Sequence, residues 1–201
     1  LVFNTIIVTT AALILIAAIG WWQLYPAQST STFLYRVTRV LPLPVAAVDG
    51  EAVRYSDYLM YFNSSAHYLQ QSEQINLSSE DGKRQVDYIK RKSMDNVVAD
   101  AYALKLAREL NISVSDDRVN GIIDNDRNTV NGRISQETYD ASSLNLLGWS
   151  PDEYRRDAMS KLIRQDVSYA IDKAAQDKKD KAALALKDQA ADLDKLALEL
   201  G

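Results

Sequence analysis

The sequence predicts a mainly α-helical protein: an N-terminal transmembrane helix, followed by a helical domain that carries one short β-hairpin. Three observations lead there. The first charged side chain is Arg36, so the opening of the chain is set apart from the rest. Between the opening and the body, VAAVDGEAVRYSDY (45–58) carries Asp-Gly between two short β-compatible runs, the signal of a tight hairpin. From residue 57 to about 172, apolar residues recur mostly at helical spacing.

Within the uncharged opening, TIIVTTAALILIAAIGWWQLY (5–25) is dominated by apolar residues. At ~1.5 Å rise per residue such a helix covers the roughly 30 Å of a hydrocarbon core. Trp21, Trp22 and Tyr25 close it on one side, where amphipathic rings favour the headgroup layer. A cleaved signal peptide or a buried core helix would share this composition. A signal core is usually shorter, however, and no A-x-A cleavage site follows. Residues 1–25 are therefore read as a transmembrane anchor, with the body outside the cytoplasm.

Residues 26–44 read as a juxtamembrane linker. PAQSTSTF is polar without apolar period, and Pro42 and Pro44 favour extended backbone at Leu41 and Leu43. The hairpin turns at Asp49-Gly50, a pair suited to a type I′ turn because both positions must accept positive φ. Ser56 is the expected cap of a helix over 57–72. SEQINLSSEDG is expected as a loop. A helix of about 28 residues, roughly 42 Å long, then runs from Lys83 to Leu110 with Val86, Ile89, Val97, Ala101, Leu104 and Ala107 along one face. Asn111 is its stop, since Asn tolerates the left-handed conformation. Ser115 caps the next helix, with Asp116 and Asp117 in its first turn. A further helix near 136–146 ends at Gly148. Ser150, Pro151 and the acids behind them mark the clearest helix start in the chain. Residues 45–172 thus form the domain. The tail, 173–201, is Ala/Lys/Asp-rich and reads as a solvated charged helix.

Composition removes most chemistry. The absence of cysteine excludes disulfides, thiolate metal sites, a cysteine nucleophile and a lipoprotein anchor; one histidine, His67, excludes a multi-histidine metal site. A net charge of -4 speaks against general affinity for nucleic acid. DNDRNTVNGRIS (124–135) imitates a calcium loop, but Thr129 falls where the sharp turn needs Gly and Ser135 where a bidentate Glu is required. His67 lies near Ser64, Ser65 and Ser72 without a nucleophile-elbow pattern. The basic residues Lys83, Arg84, Lys90, Arg91 and Lys92 label the exposed side of the long helix and offer a contact for anionic lipid. The sequons at Asn63, Asn76 and Asn111 are short enough to arise by chance. No catalytic residue, metal site or cofactor is expected.

What remains is aromatic surface. Tyr55, Tyr58, Tyr61, Phe62 and Tyr68 cluster on the first helix after the hairpin. Phe62 suits the core, but the tyrosines cannot all share one narrow stripe. Those outside it would offer a ring and a hydroxyl to extended peptides.

The order of these segments, with AYALKLARELNISVSDDRVNGII and LLGWSPDEYRRDAMSKLIRQDV following the hairpin, resembles the N-terminal domain of the SurA-type and PrsA-type extracytoplasmic chaperones. That domain is related in fold to the client-binding part of trigger factor. The resemblance spans 45–171. It implies a module that holds unfolded or extended polypeptides in a shallow apolar, Tyr-rich groove, with the hairpin pinning the linker to the body. Tyr58, Tyr61, Tyr68, Met94 and Trp149 are the expected contacts, Met94 because its thioether adapts to varied partners. Family members commonly carry a parvulin prolyl isomerase domain next, and ALKDQAADLDKLALELG looks like the segment that opens one. The alternatives are therefore the substrate-holding part of a prolyl isomerase whose parvulin domain lies beyond residue 201, and a membrane-tethered helical adaptor for one folded partner.

Overall fold

The computed structural model describes residues 2–185. In chain order the elements are α1 (Val2–Leu24), α2 (Thr32–Val40), β1 (Pro44–Val48), β2 (Glu51–Arg54), α3 (Tyr55–Gln71), α4 (Glu80–Glu109), α5 (Asp116–Asp126), β3 (Asn128–Thr129), β4 (Gly132–Arg133), α6 (Gln136–Leu147), α7 (Pro151–Ile171) and α8 (Lys173–Ala185). The mainly α reading holds. Contacts divide the chain into two units, Leu1–Val98 with Ser143–Trp149, and Ala99–Ser142 with Ser150–Gly201.

In the first unit, the apolar stretch Thr5–Leu24 is a continuous helix, exposed along most of its length and buried at its last residue, Leu24. The segment read as a juxtamembrane linker contains a helix that was not expected: Thr32–Val40 is helical. Ser31, in extended conformation, accepts from the Leu34 N–H through its hydroxyl at 3.3 Å. Leu34 and Thr38, one turn apart, are buried, and the Thr38 hydroxyl donates back to the Leu34 carbonyl at 2.9 Å. A cap and a buried pair outweigh the weak helix propensity of TFLYRVTRV. The helix stops at Leu41, which is extended as a residue before proline should be.

The hairpin has the expected turn. Asp49 (φ 50°) and Gly50 (φ 88°) are both left-handed. Val48 pairs with Glu51 and Ala47 with Ala52, and an irregularity between Pro44 and Ala46 shifts the register farther out. Helix α3 begins two residues before the expected start, and Ser56 is not its cap. Arg54 occupies that position without a side-chain bond, and the Tyr55 N–H donates to the Leu43 carbonyl at 2.8 Å. A backbone acceptor from the incoming chain does the work assigned to the hydroxyl, while Ser56 is buried. The core of this unit is built from Val53, Tyr55, Tyr58, Leu59, Met60 and Phe62 with Ile89 and Val97 of α4. Helix α4 starts at Glu80, three residues earlier than expected. Along its length the buried positions are Gly82, Ile89, Ser93, Val97, Ala103 and Ala107. Leu104, expected among them, is exposed and Ala103 takes its place, because burial passes one position along the helix between its two ends.

In the second unit, Asn111 (φ 55°) ends α4 in the left-handed conformation, and the Ser115 hydroxyl accepts from the Arg118 N–H at α5. Val119, Ala158 and Leu162 form a core flanked by Val114, Ile122, Ile123 and Met159. Ser150 and Glu153 form a reciprocal capping box with Pro151 in the first turn of α7. The polar segment after α5 contains a second small hairpin, Asn128–Thr129 against Gly132–Arg133, where only a loop was expected. Its Asn131-Gly132 pair was the overlooked signal. Of the charged tail, Lys173–Ala185 is helical; 186–201 lie outside the described residues.

Candidate functional site

The end of α1 is held by tyrosine hydroxyls. Tyr25 donates to the Pro44 carbonyl at 2.8 Å, at the start of β1. Tyr55, only 2% exposed, donates to the Leu24 carbonyl at 3.0 Å and lies 3.3 Å from that of Ser29. Carbonyls in the last turn of a helix lack intrahelical partners, and Tyr55 supplies one. Trp21 and Trp22 are exposed, and the Trp21 ring sits 5.8 Å from that of Tyr25. All three aromatics expected at a membrane interface therefore stand together at one end of the apolar helix.

Beside this joint lies a cavity of about 260 Å³, lined by Tyr25, Gln28, Tyr58, Lys90, Arg91 and Met94 among others. Two of the five expected peptide contacts, Tyr58 and Met94, thus share one cavity. The Tyr58 ring packs edge-on against Tyr55 at 5.6 Å and lies 6.4 Å from Phe62. Burial, with a smaller contribution from Tyr55, pushes the Tyr58 phenol up to about 12. Burial likewise raises Tyr55, and Tyr25 adds to it. Both phenols are neutral donors through the physiological range.

Tyr61 and Trp149 form a second group. Their rings meet edge-to-face at 6.2 Å, and the Trp149 indole N–H donates to the Met60 carbonyl at 3.4 Å. Trp149 is buried at 8% exposure, so it supports Tyr61 more than it presents itself. Tyr68, two turns beyond Tyr61 on α3, is 41% exposed. The five residues are therefore a cavity pair, a supported pair and a single exposed ring.

Sequence reasoning missed the surface next to Tyr68. His67 Nε2 lies 2.8 Å from the Asn145 carbonyl, and its ring packs against Gly148, where α6 ends at φ 67°. This histidine ties α3 to the end of α6. On either side of Asn145, Leu144 and Leu146 are exposed. Their apolar positions alternate instead of following a helical stripe, which left no periodic signal in SSLNLLGW.

The calcium imitation is occupied by protein partners. Asp124 pairs with Arg127 at 3.1 Å and with Arg133 at 2.6 Å. Asp126 accepts from the Tyr154 hydroxyl at 2.6 Å and, more weakly, from Tyr139 at 3.5 Å. The Tyr139 and Tyr154 rings meet edge-on at 5.4 Å. Asp126 braces α5 against α6 and α7, while Asp124 ties α5 to the small hairpin. Among the described residues no group of His, Cys, Asp and Glu could hold a metal ion.

Over residues 2–168 the sequence matches the family described as SurA-like N-terminal domain. The match covers most of the chain, and the chain belongs to that family. Comparisons with curated proteins and with solved structures gave no match.

Proposed function

We propose that this SurA-like N-terminal domain is a membrane-anchored, extracytoplasmic chaperone module that holds unfolded or extended polypeptides. The family membership supports the client-binding part of that reading. The anchor rests on Thr5–Leu24, a 20-residue helix long and apolar enough to cross a membrane. A signal sequence passes the same length test, but here the helix end is built into the body through Leu24, Tyr25 and Tyr55. Removing it would strip partners from buried groups.

Client contact is assigned to the exposed side of α3 and the end of α6. Tyr61 and Tyr68 offer rings with hydroxyls, Leu144 and Leu146 add apolar area, and Trp149 holds Tyr61 in place. Tyr58 and Met94 line the cavity beside the end of α1 instead of this surface. Such a surface is apolar, shallow and tolerant of sequence. Many weak contacts of this kind give dissociation constants near micromolar, about -8 kcal/mol. No nucleotide or metal is needed.

The test is aggregation of a chemically unfolded client, followed by light scattering, with the full chain in lipid nanodiscs. Suppression at a few-fold molar excess is expected, weakened when Tyr68 and Leu144 are both changed to Ser. No suppression at tenfold excess would remove the chaperone reading. Saturable binding to one folded protein, with indifference to unfolded clients, would replace it with an adaptor.

A further inference from the structure

The cavity beside the end of α1 has an electrostatic character that polypeptide holding does not use. Lys90 and Arg91 both line it. On the same helix Lys83 is answered by Glu80 and Arg84 by Asp81. Among the described residues neither Lys90 nor Arg91 has a carboxylate partner. Two adjacent cations at one cavity repel each other, an arrangement that an anion relieves. The other walls suit an amphipathic guest: Leu24, Val45 and Met94 are apolar, while Tyr25 and Gln28 carry polar ends. At about 260 Å³ the space falls just short of the roughly 300–1,000 Å³ clefts that enclose drug-sized ligands. It fits a headgroup.

Its place in the chain names the guest. Leu24 and Tyr25 lie one turn beyond Trp21, at the end of the apolar helix where interfacial aromatics gather. Immediately downstream, α2 exposes Phe33 (71%) and Val40 (80%), two turns apart, with Arg36 and Arg39 exposed between them. An exposed ring, an exposed aliphatic side chain and basic residues on one short amphipathic helix are the composition of a segment lying in the headgroup layer. We propose that this cavity receives the phosphate-bearing headgroup of an anionic phospholipid, with Lys90 and Arg91 as its counter-charges. The assignment rests on the membrane-anchored reading.

Phosphate chemistry is shared by a lipid and a soluble phosphate ester, so the assay separates them. The full chain in neutral detergent is titrated with phosphatidylglycerol, phosphatidylcholine or glycerol 1-phosphate, and bound ligand is counted by native mass spectrometry. Phosphatidylglycerol is expected to bind at least tenfold tighter than phosphatidylcholine. Lys90→Gln with Arg91→Gln should weaken it about 25-fold, roughly fivefold for each basic residue at a membrane surface. Lys83→Gln with Arg84→Gln, an equal loss of charge outside the cavity, should change it less than twofold. Circular dichroism of both double variants should match the parent, since Lys83, Arg84 and Arg91 are exposed and Lys90 is half-buried without an ion pair. Equal losses in the two double variants would overturn the site in favour of diffuse attraction. Glycerol 1-phosphate binding as tightly as the lipid would overturn the lipid assignment. Loss of binding to an extended acidic peptide in the Lys90/Arg91 variant, with lipid binding unchanged, would give the cavity to the client instead. Alkaline extraction of the chain from membranes distinguishes the other failure: a chain that washes out is not anchored, whatever its cavity binds.

Discussion

Removing one hydroxyl should loosen the joint between the apolar helix and the body. Tyr55→Phe keeps the buried ring and its edge-on contact with Tyr58 but deletes the donor to Leu24 and Ser29. The Leu24 carbonyl would be left buried with no intrahelical partner, a loss of about 1–2 kcal/mol. For a chain of this length each kcal/mol moves the unfolding midpoint by roughly 2–4 °C, so a fall of about 2–8 °C is expected. The assay is far-UV circular dichroism in neutral detergent, where α1 stays helical and the signal reports the body. A second chain, starting at Pro26, supplies the control. There the Leu24 acceptor is gone and only Ser29 remains, so Tyr55→Phe should lose most of its effect. An equal cost in both chains would refute the reasoning, because the hydroxyl would then be stabilising something other than the helix end.

Three further outcomes follow. Because burial raises the Tyr58 phenol from about 10 in an unfolded chain to about 12, the folded state holds that proton more tightly. Stability is full below pH ~10 and falls between ~10 and ~12, by on the order of 2–3 kcal/mol, and Tyr58→Phe should flatten that alkaline limb in urea titrations except for the part due to Tyr55. Ser150→Ala removes the hydroxyl half of the capping box and should cost about 1 kcal/mol in the urea midpoint, with Ser150→Thr retaining most of the cap. Gly148→Ala places a Cβ at positive φ and 3.1 Å from the His67 ring, so it should destabilise by about 1–2 kcal/mol and shift the His67 ring resonances in NMR spectra.

The features legible in the sequence were those with strong local chemistry. Asp49-Gly50, Asn111, Ser115 and the Ser150-Pro151 start each act through the backbone within a few residues, and the structure uses them as turn, stop and caps. Helix α2 was not legible, because its stability comes from burying Leu34 and Thr38 under elements that follow in the chain. Ser56 misled for the same reason: the acceptor for the first turn of α3 is Leu43, a backbone carbonyl with no sequence signature. At the site, composition found the aromatics but not their grouping. Helical spacing allows Tyr61 and Tyr68 to share a face, yet only tertiary contact sets Trp149 behind Tyr61 and sends Tyr58 into the cavity with Met94. Lys90 and Arg91 read as two more members of a basic helix face; what sets them apart is that Lys83 and Arg84 pair with Glu80 and Asp81, whereas Asp87 and Asp95, one turn away on the same helix, form no ion pair with them.

The hairpin explains why the apolar helix and the body cannot be treated as separable parts. Its first strand starts at Pro44, whose carbonyl accepts from Tyr25 at the end of α1, and the carbonyl just before it, on Leu43, accepts from the first residue of α3. Tyr55 then reaches back from α3 to Leu24 and Ser29. These links, made by Tyr25 and Tyr55, close a loop of about thirty residues. Had the connector been an unstructured tether, the body could swivel freely on the apolar helix and present Tyr68 and Leu144 in any direction. With the loop closed, freedom at the joint must be bought by breaking hydrogen bonds, the one from Tyr55 to Leu24 buried, and the orientation of Tyr68 and Leu144 relative to the apolar helix becomes a property of the fold.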